Sequence, residues 1–255
     1  MRHLFLFYSS LLGSVYIRII IGFFRWFYYV KILKRTKILD NTSSIEGTLE
    51  HNLQPLKNFP LVDFTMKRMD RLLSIANTFE FLNNNSNFLI IGPRTESDIF
   101  KLKYYFPFCK IHSIDLISYS PLIELQDAHN TNFLDNYFDC IISGWVIKYS
   151  HNKKKMLNEM VRITKNGGII ILGFEFLSEK VDMSTKSIQS GIIKSNDLYE
   201  VNCISDIKSI LDQNSINFES LFEYDAILKK LTSEEIYKIT GMHGSQVMFA
   251  FKLLK

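Results

Sequence analysis

One turn and two carboxylates carry most of the chemistry that can be read in this chain. The apolar run NFLII (residues 87–91) breaks at Gly92-Pro93-Arg94, the segment TESDIFKLKYYF follows with helical character, and a second apolar run, KIHSID, ends on Asp115. Thr95 or Ser97 can cap that helix, with Glu96 and Asp98 favourably placed in its first turn. Strand, glycine turn, helix and a strand ending in an acid make up the nucleoside-binding half of a doubly wound sheet, whose ligands sit at the carboxyl ends of the strands. A carboxylate at Asp115 accepts both hydrogen bonds of a ribose diol more strongly than a neutral side chain does. The turn argues against a dinucleotide. A pyrophosphate needs G-x-G-x-x-G for close backbone approach, and here one glycine is followed by Pro93 and the bulky Arg94. A ligand without phosphates tolerates that change better.

The elements that must hold these residues are clearest over residues 127–176. Phe138-Asp139 opens the apolar run Cys140-Ile141-Ile142, a helix carries Glu159 and Arg162, and Lys165-Asn166-Gly167-Gly168 turns into a second apolar run over 169–174. This is a βαβ unit, and its strands are too continuously apolar for a half-exposed sheet. Residues 121–125 read as a further short strand ending just before Asp127. The glycines serve the turn, where positive φ is needed, and not the chemistry.

The chain has 255 residues, 47% hydrophobic and 22% charged, enough for one sizeable α/β domain plus an extra segment. Cys109, Cys140 and Cys203 show no metal-ligand spacing and read as free thiols in a reducing compartment. The net charge of +4 is local: residues 1–37 hold seven basic residues and no acid, leaving 23 basic against 26 acidic over 38–255. The globular part therefore carries no nucleic-acid footprint.

Residues 4–30 are rich in Phe, Tyr, Leu and Ile, but Arg18 and Arg25 interrupt them, and the uncharged stretch over 4–17 is only fourteen residues long. A bilayer span takes about 20. At helical spacing Ser10, Ser14, Arg18, Gly22, Arg25 and Tyr29 form one narrow polar stripe. With Lys31, Lys34, Arg35 and Lys37 following, an in-plane helix on an anionic membrane surface is the favoured reading. A helix packed on the protein's own core, or on the partner of a homodimer, and a tilted span remain open. A secretory signal fits less well, since no small-residue cleavage site follows. Residues 1–37 are thus an apolar, basic-flanked segment and 38–59 a linker, with the main domain over 60–255.

The order LIIGPR, HSID, LQDAH, FDCIISGWVIKYS and NEMVRITKNGGIIIL resembles the class I S-adenosylmethionine-dependent methyltransferases, in particular the small-molecule branch, with a GPRTE variant of the first turn. The match covers roughly residues 87–176. The resemblance implies an α/β, Rossmann-like, doubly wound seven-stranded sheet, mostly parallel with an antiparallel last strand. It implies S-adenosyl-L-methionine as cofactor, with Gly92, Pro93 and Arg94 against its methionine portion. Asp115, beside Leu116, would hold the ribose hydroxyls, and Asp127 and Ala128 the adenine. Ser143, Gly144 and Trp145 would line the sulfonium and methyl group, while Asp139 would be structural. Two positions depart from the pattern. The acid expected two residues before the first glycine is Ile90, for which Glu96 could substitute, and the second glycine is Arg94.

Beyond residue 176 the sequence reads as a loose segment to 202, a helix over 205–211, a strand over 216–224, a helical insertion over 226–239 and a last strand over 246–254. The loose segment and the insertion are where acceptor specificity would be built. Methyl transfer from a sulfonium is an in-line displacement, so a hydroxyl acceptor also needs a general base of near-neutral pKa. His151, just past the fourth strand, is the candidate; His129 reads as a pocket wall or exposed, and His243 as incidental. Lys153-Lys154-Lys155 reads as a solvated helix face. The expected function is methyl transfer to a small-molecule or glycolipid-type acceptor, a sugar or lipid hydroxyl, by a cytoplasmic protein peripheral to a membrane. A methyltransferase-like domain that organises a partner there without catalysis is the alternative.

Overall fold

The computed structural model describes residues 2–40, 48–65, 68–176, 200–225 and 245–255, with positions 231, 235 and 238. The amino-terminal segment forms two helices, α1 (Arg2–Leu11) and α2 (Val15–Trp26), the latter running on into a π-helical turn over Phe27–Ile32. The break falls at Gly13-Ser14, where the Tyr104 ring lies so close that a Cβ on Gly13 would meet it at 2.7 Å. The Arg18 guanidinium then donates to the carbonyls of Leu12 and Gly13, at 2.7 and 3.0 Å. It thereby satisfies acceptors that the end of α1 leaves open.

The polar stripe of this segment faces inward from Ser14 to Tyr29, while Ser10 stays exposed. Arg18 and Gly22 are buried, and the ring of Phe64 occupies the space a side chain at Gly22 would need. Residues 38–59, expected as a linker, hold more structure than their composition suggested. β1 (Lys37–Ile38) begins the stretch and α3 (Thr48–Lys57) fills its second half. Leu49, Leu53 and Leu56, spaced for one helical face, join Trp26, Ile117 and Tyr119 in a small satellite core. The helical periodicity over 60–82 resolves into α4 (Leu61–Thr65) and α5 (Arg68–Asn77).

β2 (Asn87–Ile91), α6 (Ser97–Tyr105) and β3 (Lys110–Asp115) follow, close to their expected bounds. Glu96 occupies the position before the first turn of α6 and its side chain makes no cap bond, while Thr95 Oγ1 accepts from the Ser97 backbone N–H at 3.4 Å. β4 (Ile117–Ser118) pairs with β1, and β5 (Glu124–Leu125) is a shorter strand than expected. β6 (Phe138–Gly144), α7 (Lys153–Ile163) and β7 (Thr164–Phe176) complete the βαβ unit. Gly167, at φ +74°, lies in β7 opposite a register shift between Phe138 and Cys140. The turn residues are therefore absorbed into the strand as an irregularity. α8 (Ile204–Gln213), β8 (Phe218–Tyr224) and β9 (Ser245–Leu253) end the chain. The specificity segment over 177–199 and most of the insertion over 226–244, with His243, lie outside the described residues.

The sheet order is β5-β3-β2-β6-β7-β9-β8, with the first five strands parallel and β9 antiparallel to both its neighbours. Alternate residues of β2 serve two cores. Leu89 and Ile91 pack with Ile141, Ile170, Met156 and Leu157 on the side of α7 and α8. Phe88 and Ile90 pack with Ile142, Ile171, Leu72 and Leu102 on the side of α5 and α6. Burial on both faces explains the unbroken apolar runs. Asp139 is structural: it accepts from the Asn87 backbone N–H at 2.8 Å and from Lys165 at 2.7 Å.

Candidate active site

The carboxyl ends of β2, β3, β5 and β6 open into one cavity of about 370 Å³. Its floor is the backbone after those strands, and α3, α4 and α5 roof it with Asn52, Asp63, Arg68 and Met69. The segment read as a linker thus closes the site. Position relative to β2 and β6 follows from parallel pairing, since the strand order reverses where they meet.

The turn after β2 has two residues in the left-handed region, Gly92 at φ +75° and Arg94 at +43°. Gly92 cannot carry a side chain there, because a Cβ would stand 2.2 Å from Val146 Cγ2. The strained Arg94 is held at both ends. Its backbone N–H donates to Asp115 Oδ2 at 3.2 Å, and its guanidinium donates to Asp63 at 3.1 Å and Asn52 at 2.7 Å. Arg94 therefore ties the first turn to the helical roof.

Asp115 also accepts from the Ile117 backbone N–H at 3.3 Å. Burial pushes its carboxyl above the ordinary range, opposed by the N–H groups of Ile117, Arg94 and Leu116. Burial similarly raises Asp63, against the pull of Arg94. Asp98, which lines the same wall, is raised well above the usual range by burial and by the nearby carboxylates of Asp63 and Asp70. Asp63 Oδ2 and Trp145 Nε1 are buried without a hydrogen-bond partner. Trp145 adopts φ +57°, and the Arg68 guanidinium lies 5.6 Å from its ring centre.

Of the residues singled out in the sequence, Gly92, Pro93, Arg94, Asp115, Leu116, Asp127, Ala128, Gly144 and Trp145 all line this cavity. Glu96 lies apart from its lining. It is wholly buried, and Arg25 Nε and a terminal nitrogen donate to its two oxygens at 2.5 and 2.7 Å. Ser143 is buried in the sheet one residue before the cavity, and His151 is exposed and outside the lining. Lys153 departs from the solvated face expected of it: it is 2% exposed, and its ammonium donates to the Ser150 carbonyl at 2.9 Å.

Sequence reasoning missed Asp63, Asp98 and Ser150. Nothing in its local sequence marked Asp63, which reaches the site only through tertiary packing. Asp98 was visible as a first-turn acid. Ser150 was passed over for its neighbour His151; it lies past the end of β6, after a 3₁₀ turn over Ile147–Tyr149.

The family description "Methyltransferase domain" matches residues 110–172. No curated protein sequence matches the chain. Among solved structures, a Galdieria sulphuraria protein provisionally named a sarcosine dimethylglycine methyltransferase superposes with a TM-score of 0.52 at 14% identity, over 89% of this chain and 97% of that one. Haemonchus contortus phosphoethanolamine N-methyltransferase 2, in complex with S-adenosyl-L-methionine, gives a TM-score of 0.50 at 15% identity. The alignment covers 73% of this chain and spans about half, 52%, of the Haemonchus protein. Residues 110–172 accordingly match the methyltransferase domain family, and the described chain around them has the Rossmann-like fold of these methyltransferase structures.

Proposed function

We propose that this protein transfers a methyl group from S-adenosylmethionine to a hydroxyl of a small or membrane-linked acceptor, a sugar or a lipid. The observation that carries this reading is Asp115, fixed by two backbone N–H groups at the carboxyl end of β3 and facing the cavity beside the glycine turn. When bound, the cofactor supplies an electrophilic methyl group on a sulfonium. Asp115 would take the ribose diol, and Asp127 with the Ala128 backbone the adenine.

The unusual turn fits the amino-acid end of that cofactor. Ile90 is wholly buried in the core and offers no charge. Asp98 and the unpartnered Oδ2 of Asp63 line the wall instead, and an ammonium set against them would offset the burial and the carboxylate repulsion that together raise Asp98. The Arg94 guanidinium beside them suits the carboxylate of the same group. The remaining work of the protein is to orient the acceptor in line with the methyl group and exclude water.

Membrane attachment is supported by the inversion of the amino-terminal helices. Their polar stripe is spent on the domain, so their apolar side faces out: Tyr16 is 75% exposed, Phe24 67% and Ile20 55%. Phe7, Phe23, Phe27, Ile32 and Leu33 extend that side. Lys31, Lys34, Arg35 and Lys37 flank it, and no acid lies within residues 1–37. This is the composition of a surface that enters the headgroup layer of an anionic membrane. Among the described residues no helix is long and apolar enough to cross a bilayer.

Calorimetry with S-adenosylmethionine and S-adenosylhomocysteine tests the central reading. Binding that is abolished by Asp115→Ala supports it. Folded protein that binds neither compound at millimolar concentration rules it out.

A further inference from the structure

Three side chains lining the cavity are joined end to end. The Asp127 Oδ1 and His129 Nδ1 atoms are 2.5 Å apart, and His129 Nε2 is 2.5 Å from Ser150 Oγ. Asp127 Oδ1 also accepts from the His129 backbone N–H at 2.9 Å, which fixes the pair within one tight turn. His129 is 7% exposed and Ser150 2%, and all three residues contribute to the cavity wall.

The hydrogen-bond arithmetic gives this chain a direction. A carboxylate can only accept, so the proton on His129 belongs at Nδ1 and the lone pair at Nε2. Nε2 then accepts from the Ser150 hydroxyl. A hydroxyl has one hydrogen and two lone pairs. The hydrogen goes to Nε2 and one lone pair takes the Asn152 backbone N–H at 3.0 Å. One lone pair remains, at a residue that lines the cavity. The Ser150 carbonyl is meanwhile held by the buried Lys153 ammonium.

We propose that Asp127, His129 and Ser150 form a proton relay that deprotonates a hydroxyl acceptor during methyl transfer. This rests on the methyltransferase reading and gives it the base that the exposed His151 does not supply. In the transfer the acceptor oxygen forms a bond to the methyl carbon as the sulfur–carbon bond breaks. The acceptor proton passes to Ser150 Oγ while the Ser150 proton passes to His129 Nε2, and Asp127 stabilises the imidazolium. The relay selects acceptors that have a proton to lose, and so hydroxyl groups over thioethers or tertiary amines.

The polarised hydroxyl can be tested without the natural acceptor. Full-length protein treated with methanesulfonyl fluoride forms an Oγ–S bond and releases fluoride, the proton going to Nε2. Peptide mapping is expected to find the adduct on Ser150, forming at least tenfold more slowly in His129→Gln and Asp127→Asn. Nitrogen-15 spectra of histidine-labelled protein are expected to show the Nδ1–H tautomer at His129, with the Nε2 resonance moving in Ser150→Ala. An unmodified Ser150, an unchanged labelling rate in His129→Gln, or an Nε2–H tautomer each overturns the relay. S-adenosylhomocysteine calorimetry on the same wild-type sample separates the two claims. Labelled Ser150 without cofactor binding refutes methyl transfer, and cofactor binding with an inert Ser150 refutes the relay.

Discussion

Arg25 and Glu96 form a bidentate pair between the amino-terminal helix and the turn that leads into α6, with the carboxylate fully buried and the guanidinium 31% exposed. Ser120 donates to the same carboxylate. Arg25→Met would leave a buried charge with that one partner, a defect that costs about 3 kcal/mol. Urea unfolding should show a loss of that size, and Arg25→Met/Glu96→Gln should lose clearly less. Equal losses would mean that the pair contributes packing and not charge compensation.

Gly92→Ala tests the turn. The substitution places a methyl group 2.2 Å from Val146 Cγ2 at a φ of +75°. The backbone term alone costs about 1–2 kcal/mol, and the collision displaces the Arg94 N–H from Asp115. Cofactor affinity should fall at least tenfold by calorimetry. Adding Val146→Ala should restore part of the stability, since it removes the collision and leaves the backbone term.

Lys148 gives a prediction in pH. It is 4% exposed, and burial lowers its pKa from 10.5 to about 8 in the folded chain. Between those values the unfolded chain binds the proton more tightly, so the lysine's contribution to stability rises with pH and levels off above about 10.5. Below pH 8 both states are protonated and the full penalty applies. Lys148→Met should therefore gain stability at pH 7. The gain is at most about 3 kcal/mol at 1.36 kcal/mol per pKa unit, less what is lost with the bonds to the Glu175 carbonyl and Asn202. Thermal melts at intervals from pH 7 to 10.5 should show the two proteins converging. A constant difference would mean that Lys148 keeps its ordinary pKa.

The sheet was legible because two-sided burial writes unbroken apolar runs: β2 and β3 have the bounds their sequence suggested, and β6 and β7 came within a few residues. Most of the cavity residues were legible because strand ends are marked by a change from apolar to polar. Glu96 was misjudged for a different reason. From sequence it was an acid beside a turn that lacked one, and its partner Arg25 lies 71 positions away. The α3 helix was hidden by Asn, Thr, Ser and Gly around residues 41–47 and by Pro55, since composition says little about where Leu49, Leu53 and Leu56 can find a core. His129 needed the fold as well. Only the closure of the β5 and β6 loops brings Ser150 to its ring.

The outward face of α1 and α2 gives the remaining prediction. Deleting residues 1–37 is a poor test, because it would also uncover Glu96, Phe64 and Tyr104 and could unfold the domain. Point changes on the exposed side avoid this. Tyr16 and Phe24 stand largely in solvent, so Tyr16→Glu/Phe24→Glu should leave the melting temperature within about 2 °C, as surface changes away from specific contacts do. Each aromatic that enters the headgroup layer contributes on the order of 1–2 kcal/mol, and the added charges are repelled by anionic lipid. Sedimentation with vesicles of phosphatidylserine and phosphatidylcholine should therefore show binding by the wild type and at least a thirtyfold weaker association in the variant. Wild-type binding should also weaken as salt rises through the range where the Debye length falls below about 10 Å, since Lys31, Lys34, Arg35 and Lys37 supply the electrostatic part. A variant that still pellets with vesicles would place the contact elsewhere. A wild type that ignores vesicles but sediments as a dimer, which the variant does not, would assign this face to a second copy of the chain.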